Sequence, residues 1–198
     1  IGEISVQITS SAKKGGSERH PVAIGRRNGR VIFTMSLDES TRDSDDSYST
    51  DFAELTSIRL DPSTKKPQLV FTSYWNGAHC CTVTKIASED PGTGQWNVAQ
   101  GETLDGGGYG FEDIDGDGAY ELVNGDNSFL YAFGPYASAN SPSQISRIRN
   151  GRLEKVTQRA EYAPYLRQRL ASMEHGAGID TERWRDNNFL GGWVAQSI

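Results

Sequence analysis

Gly110–Gly125 reads GFEDIDGDGAYELVNG, and its central nine residues, Asp113 to Glu121, carry carboxylates at positions 1, 3, 5 and 9. Alternate side chains in such a loop converge if the backbone coils tightly. Gly116 and Gly118 allow that coil, because glycine reaches positive φ without steric cost. Hard divalent cations take about six to eight oxygen ligands, and Ca²⁺ accepts mixed carboxylate and carbonyl sets. The expected ligands are Asp113, Asp115, Asp117, the Ala119 carbonyl and Glu121. Ile114 and Tyr120 are expected to turn away and pack. A bare solvated turn and a loop for another ion are the competing readings. An EF-hand loop is disfavoured: its position 12 needs a bidentate Glu and here is Asn124, and the flanks read as strands.

The surrounding chain extends the β reading. Runs rich in β-branched and aromatic residues alternate with Gly, Pro, Asn, Asp and Ser. They predict strands at Ile4–Thr9, Pro21–Ile24, Val31–Ser36, Leu55–Leu60, Gln68–Trp75 and Thr82–Ala87. Further strands are expected at Gln95–Gln100, Tyr120–Asn124, Ser128–Phe133, Gln144–Arg149 and Arg152–Val156. Asn28-Gly29 and Asn150-Gly151 are expected hairpin turns. Ser10–Gly16 reads as a loop, and Asp38–Asp51 as a long loop or a disordered segment. Ser57–Thr72, SIRLDPSTKKPQLVFT, aligns with Gly110–Gly125 when Gln68-Leu69-Val70 is set on Glu121-Leu122-Val123, an offset of 53 residues. A period near 50 suits a β-propeller blade or a similar repeat. About three such units fit, whereas a closed propeller takes about four or more. Towards the end the period changes. Tyr162, Leu166, Leu170 and Met173 form a helical stripe, with Pro164 in its first turn and Gly176 as a stop. A second helix is expected near Asp180 or Thr181, with Gly191-Gly192 weakening any extension.

These expectations combine into a mainly β chain of antiparallel repeats, an incomplete or propeller-like arrangement, with a short helical C-terminal segment. Residues 1–157 form the β-repeat domain and residues 158–198 the helical segment packing on it.

The stretch FEDIDGDGAYELV resembles the calcium loop of FG-GAP/VCBS repeats, found in integrin-like β-propellers and bacterial surface proteins. The chain as a whole, SYWNGAHCCT included, is similar to uncharacterised bacterial exported proteins with that loop. The resemblance implies one Ca²⁺ held by Asp113, Asp115, Asp117, the Ala119 carbonyl and Glu121, in a structural rather than catalytic role. It also implies a periplasmic or secreted chain. The repeat near Asp61 has Pro62, Ser63, Thr64, Lys65 and Lys66 in place of the aspartate series, so no second metal is expected there.

Charge is segregated within the net −6 of the 198 residues. Lys13–Arg30 carries six bases and one acid; between Lys85 and Arg147 there are ten acids and no Lys or Arg. That middle block is interleaved with large apolar residues, which points to folded structure relieved by a cation rather than to a disordered tail. The acidic balance argues against a nucleic-acid partner, and no apolar run is long enough to span a membrane. The chain begins with Ile rather than Met, which fits a processed or trimmed sequence.

His79, Cys80 and Cys81 form the other unusual group. Adjacent cysteines sit closer than ordinary disulfide partners, so they are either two structural thiols or a vicinal disulfide shaping a functional turn. Two thiolates and one imidazole leave a zinc site short of ligands. A nucleophilic Cys–His pair is the enzymatic alternative, with hydrolase chemistry its example. His20 reads as a loop residue, and His175 as the basic end of a helix. Trp75, Trp96, Trp184 and Trp193 are core residues or the lining of a carbohydrate site. The expected role is a binding or scaffold module for an unknown protein or carbohydrate ligand. A subunit of a larger surface assembly is the other alternative.

Overall fold

Strand β2 (Arg19–Arg27) turns at Asn28-Gly29 into β3 (Arg30–Ser36). Both turn residues have positive φ, 52° and 76°, as a tight hairpin with right-handed strand twist requires. β1 (Ile4–Ala12) pairs antiparallel with the other edge of β2, giving a three-stranded meander. These relations come from a computed structural model, which describes residues 3–12, 19–37, 53–74 and 80–197. The expected loops over 13–16 and 38–51 lie outside the described residues, whereas Ser10 and Ser11 continue β1.

The second sheet follows from β4 (Ala53–Ile58), β5 (Gln68–Tyr74), β6 (Cys80–Glu89) and β7 (Trp96–Gln100), paired antiparallel in chain order. The short β8 (Leu104–Asp105) adds to β6. β6 is buried at nearly every position and forms the centre of this sheet. β3 instead alternates, and its inward Phe33 and Met35 join Ala23, Leu37, Phe71, Val83 and Ala87 in one apolar core. Trp96 packs on Phe33 with ring centroids 4.8 Å apart, so it serves packing here.

A third antiparallel sheet has the order β12-β11-β10-β9, with β9 at Gly110–Glu112, β10 at Glu121–Gly125, β11 at Ser143–Arg149 and β12 at Arg152–Lys155. β11 turns into β12 at Asn150-Gly151, again with both φ positive. The molecule is thus mainly antiparallel β with a short helical C-terminal portion, and no closed propeller appears among the described residues.

Contacts divide the chain into two compact units. One holds Ile1–Tyr109, Gly118–Tyr120 and Arg147–Glu154; the other holds Gly110–Asp117, Glu121–Ser146 and Lys155–Ile198. The second unit contains α1 (Ala163–Ala177) and α2 (Asn187–Ser197). Tyr162, fully buried, leads the stripe of α1 and packs with Ile145 and Val156; Ile114, Tyr165 and Leu166 cover that cluster.

Several expectations need correction. The second helix begins not near Asp180 or Thr181 but at Asn187, after a 3-10 turn at Arg183–Arg185. Ser128–Phe133 is not a strand but a 3-10 turn, Asn127–Phe129, followed by irregular chain. Its start is fixed by the Asp126 carboxylate, which accepts the Ser128 N–H at 2.9 Å. Gly191-Gly192 does not stop α2 but lies inside it. A side chain at Gly192 would collide with the backbone carbonyl of Asn140, so glycine serves close packing there.

Candidate metal centre

The antiparallel pair β9–β10 positions the acidic loop. Glu112 lies directly opposite Glu121 at its neck, and residues 113–120 form the tip. Gly116 and Gly118 adopt φ of 75° and 79°, so the tip coils as the glycine spacing required. Each of Asp113, Asp115 and Asp117 offers a carboxylate oxygen within 4.8 Å of the others, and all three are exposed. The Asp115 Oδ1 also accepts the Asp117 N–H at 3.2 Å, which fixes one side of the coil.

Glu121 takes a different position. It is fully buried at the start of β10, and its Oε2 accepts the Ile114 N–H at 2.9 Å. Its Oε1 accepts the Tyr162 hydroxyl at 3.3 Å. The cluster of mutually close carboxylates therefore comprises the three aspartates, with Glu121 closing the base of their loop. Ala119 is fully buried. Ile114 packs inward as expected, but Tyr120 is 40% exposed and does not.

Like charges facing each other across a strand pair are destabilising unless relieved. Two tyrosines supply part of that relief. The Tyr165 hydroxyl donates to Glu112 Oε1 at 3.1 Å, as Tyr162 does to Glu121. Burial, and then the Glu112 carboxylate, push the Tyr165 phenol above its ordinary value. In the sequence Tyr162 shows itself only as an apolar stripe residue. The hydroxyl it must satisfy when buried was the available signal for the second role.

The aligned loop at Asp61 shows the same base without the acids. β4 and β5 form an antiparallel hairpin, and Gln68 takes the place of Glu121. The Gln68 Oε1 accepts the Asp61 N–H at 3.0 Å and the Leu60 N–H at 2.6 Å. Shifted by the same 53-residue offset, Asp61 corresponds to Ile114, so one hydrogen bond recurs in both loops. Pro62 and Thr64 stand where Asp115 and Asp117 stand in the acidic loop. Their carbonyls accept from the Arg59 guanidinium, at 3.5 and 3.0 Å.

Cys80 and Cys81 are joined as a vicinal disulfide across a cis peptide bond. A cystine offers no thiolate to act as nucleophile or soft-metal ligand. His79 and Trp75 lie outside the described residues. His20 lies in β2 and is buried, not in a loop; His175 is exposed in the last turn of α1. Trp184 packs edge-on against Phe189 and Trp193. Among the described residues, no helix is long and apolar enough to cross a membrane.

A scan of family models finds none that matches the chain. No solved structure matches either. Among curated proteins, the chain is 40% identical over 194 residues to an uncharacterised protein of Sinorhizobium fredii, covering 98% of the chain and 30% of that protein. It is 28% identical over 200 residues to a protein of Synechocystis described as a probable thylakoid lumen protein, covering 98% of the chain and 56% of that protein. The chain thus spans about a third to about half the length of these relatives.

Proposed function

We propose that the chain is a calcium-stabilised β-repeat module of an exported protein, with a binding or scaffold role and a structural rather than catalytic ion. The observation that carries this reading is the convergence of Asp113, Asp115 and Asp117 at the tip of a hairpin whose base is already built. The related loop strengthens it. Where the aspartates are missing, the chain's own cation, Arg59, ties the loop carbonyls together. Where they are present, Ca²⁺ bound by the three aspartates, with the Ala119 carbonyl and Glu121 completing the set, supplies that positive charge.

Three antiparallel meanders support repeats resembling propeller blades of the FG-GAP/VCBS kind. Export to a periplasmic or extracellular space is supported by the vicinal disulfide, since such bonds persist in oxidising compartments. The lumenal description of the Synechocystis relative points the same way.

Thermal unfolding tests the reading. A ligand that binds only the folded state at about 100 times its Kd adds about 2.7 kcal/mol, or roughly 5–10 °C in Tm for a chain of this size. Ca²⁺ added after EDTA should raise Tm by that order. Asp115→Asn retains an acceptor for the Asp117 N–H but removes a charge, and should lose most of the shift. An identical Tm with and without Ca²⁺ in the unmodified chain would sink the assignment.

A further inference from the structure

The first unit carries a groove that the ion loop does not explain. Two directly opposed residue pairs frame it. Ile4 faces Arg27 across β1 and β2, and Glu89 faces Trp96 across β6 and β7. Residues opposed in this way share one face of their sheet. With Val6 of β1, and with Lys66, Pro67 and Leu69 where the chain enters β5, they line an open groove of about 430 Å³. Most of that lining is apolar; the rest is three charges. The Glu89 carboxylate gives one oxygen to each of two cations, Oε1 to Arg27 Nη1 at 2.9 Å and Oε2 to Lys66 Nζ at 2.8 Å. One carboxylate between two cations leaves a surplus of one positive charge. Two donors of the lining residues are also unused. Arg27 Nε and Trp96 Nε1 are closed off from water and have no hydrogen-bond partner. Such a donor carries its full desolvation penalty until an acceptor meets it.

We propose that this groove binds a small amphipathic carboxylate, an apolar body carrying one anionic head. Ile4, Val6, Pro67, Leu69 and the Trp96 ring form the wall for the body. The head balances the surplus charge of Arg27 and Lys66 and brings the acceptor that Arg27 Nε and Trp96 Nε1 lack. The Arg27 side chain is 23% exposed and that of Lys66 47%, so both have room to turn toward a head group. A cation on the same body would meet the surplus positive charge. An uncharged head would leave that charge unbalanced. This gives the proposed binding module its ligand class and rests on that reading, but not on the ion.

Nitrogen–proton NMR of the four tryptophan indole groups tests it, with decanoate titrated into the chain in EDTA below the concentration at which it forms micelles. The Trp96 signal, identified by its loss in Trp96→Phe, should move to a saturating endpoint. Decanol and decyltrimethylammonium, which keep the body and change the head, should bind at least about tenfold more weakly. Arg27→Lys keeps a cation for Glu89 but removes Nε, and should weaken decanoate about tenfold. Ile4→Glu is the second variant. It sets a like charge at a half-buried position of an edge strand and should abolish saturation, with the amide spectrum reporting whether the fold is kept. A Trp96 signal that does not move, all four indole signals moving in parallel, or decanol binding as tightly as decanoate would overturn the inference. So would an affinity unchanged in both variants. A saturable Trp96 shift in EDTA supports the groove even where Ca²⁺ leaves Tm unmoved, and its absence leaves the ion site standing, so the two readings fail separately.

Discussion

Glu121 and Gln68 perform one task in two loops: each lends a side-chain oxygen to a backbone N–H at the loop base. This separates the structural part of Glu121 from any ion-binding part. Glu121→Gln keeps an acceptor for the Ile114 N–H, so it should leave the Ca²⁺-free fold close to unchanged while weakening Ca²⁺ binding. Glu121→Ala leaves a part-buried N–H and the buried Tyr162 hydroxyl without this acceptor and should cost about 1–3 kcal/mol even in EDTA, read by urea unfolding. If the two variants unfold alike in EDTA, the hydrogen bond is not what closes the loop. The aspartate spacing was legible because a coiled loop brings near neighbours together. The part played by Tyr162 was not, because 41 residues separate it from Glu121.

At the scale of elements, what was legible was local. The Asn-Gly pairs marked both hairpins because the residues in the turn themselves decide its geometry. The aromatic run 128–133 misled, since strand-like composition yielded to the Asp126 cap and to Tyr131 in a left-handed conformation. Gly191-Gly192 misled for a tertiary reason, the nearness of the Asn140 carbonyl. A similar long-range device ties β2 to β6. Glu89, at the end of β6, accepts from Arg27 at 2.9 Å and from Lys66 at 2.8 Å. Charge patterning had no means of pairing residues 62 positions apart. The Arg27 hydrogen bond, with help from Lys66, holds the Glu89 carboxyl below its ordinary 4.5. A lowered folded value means stability that is full above the unfolded value and is lost as pH falls through the folded one. Unfolding free energy should therefore decline on acidification below about pH 4.5, and Glu89→Gln should flatten that decline. An acid limb identical in the variant would remove Glu89 from the account.

For the whole molecule, the sequence divided charge and period well enough to foresee a mainly antiparallel β chain with a helical end. How the strands group into sheets was legible only through the 53-residue offset, and then only for two hairpins. For the β1–β2–β3 meander the offset offered no aligned partner, and the connection from β1 to β2 lies outside the described residues. The central claim is that one of these loops is completed by a single cation. Isothermal titration of the chelator-treated chain with Ca²⁺ tests it most directly. The account predicts one saturable site per chain, lost in Asp115→Asn; no heat of binding, or a site that survives Asp115→Asn unchanged, would contradict it.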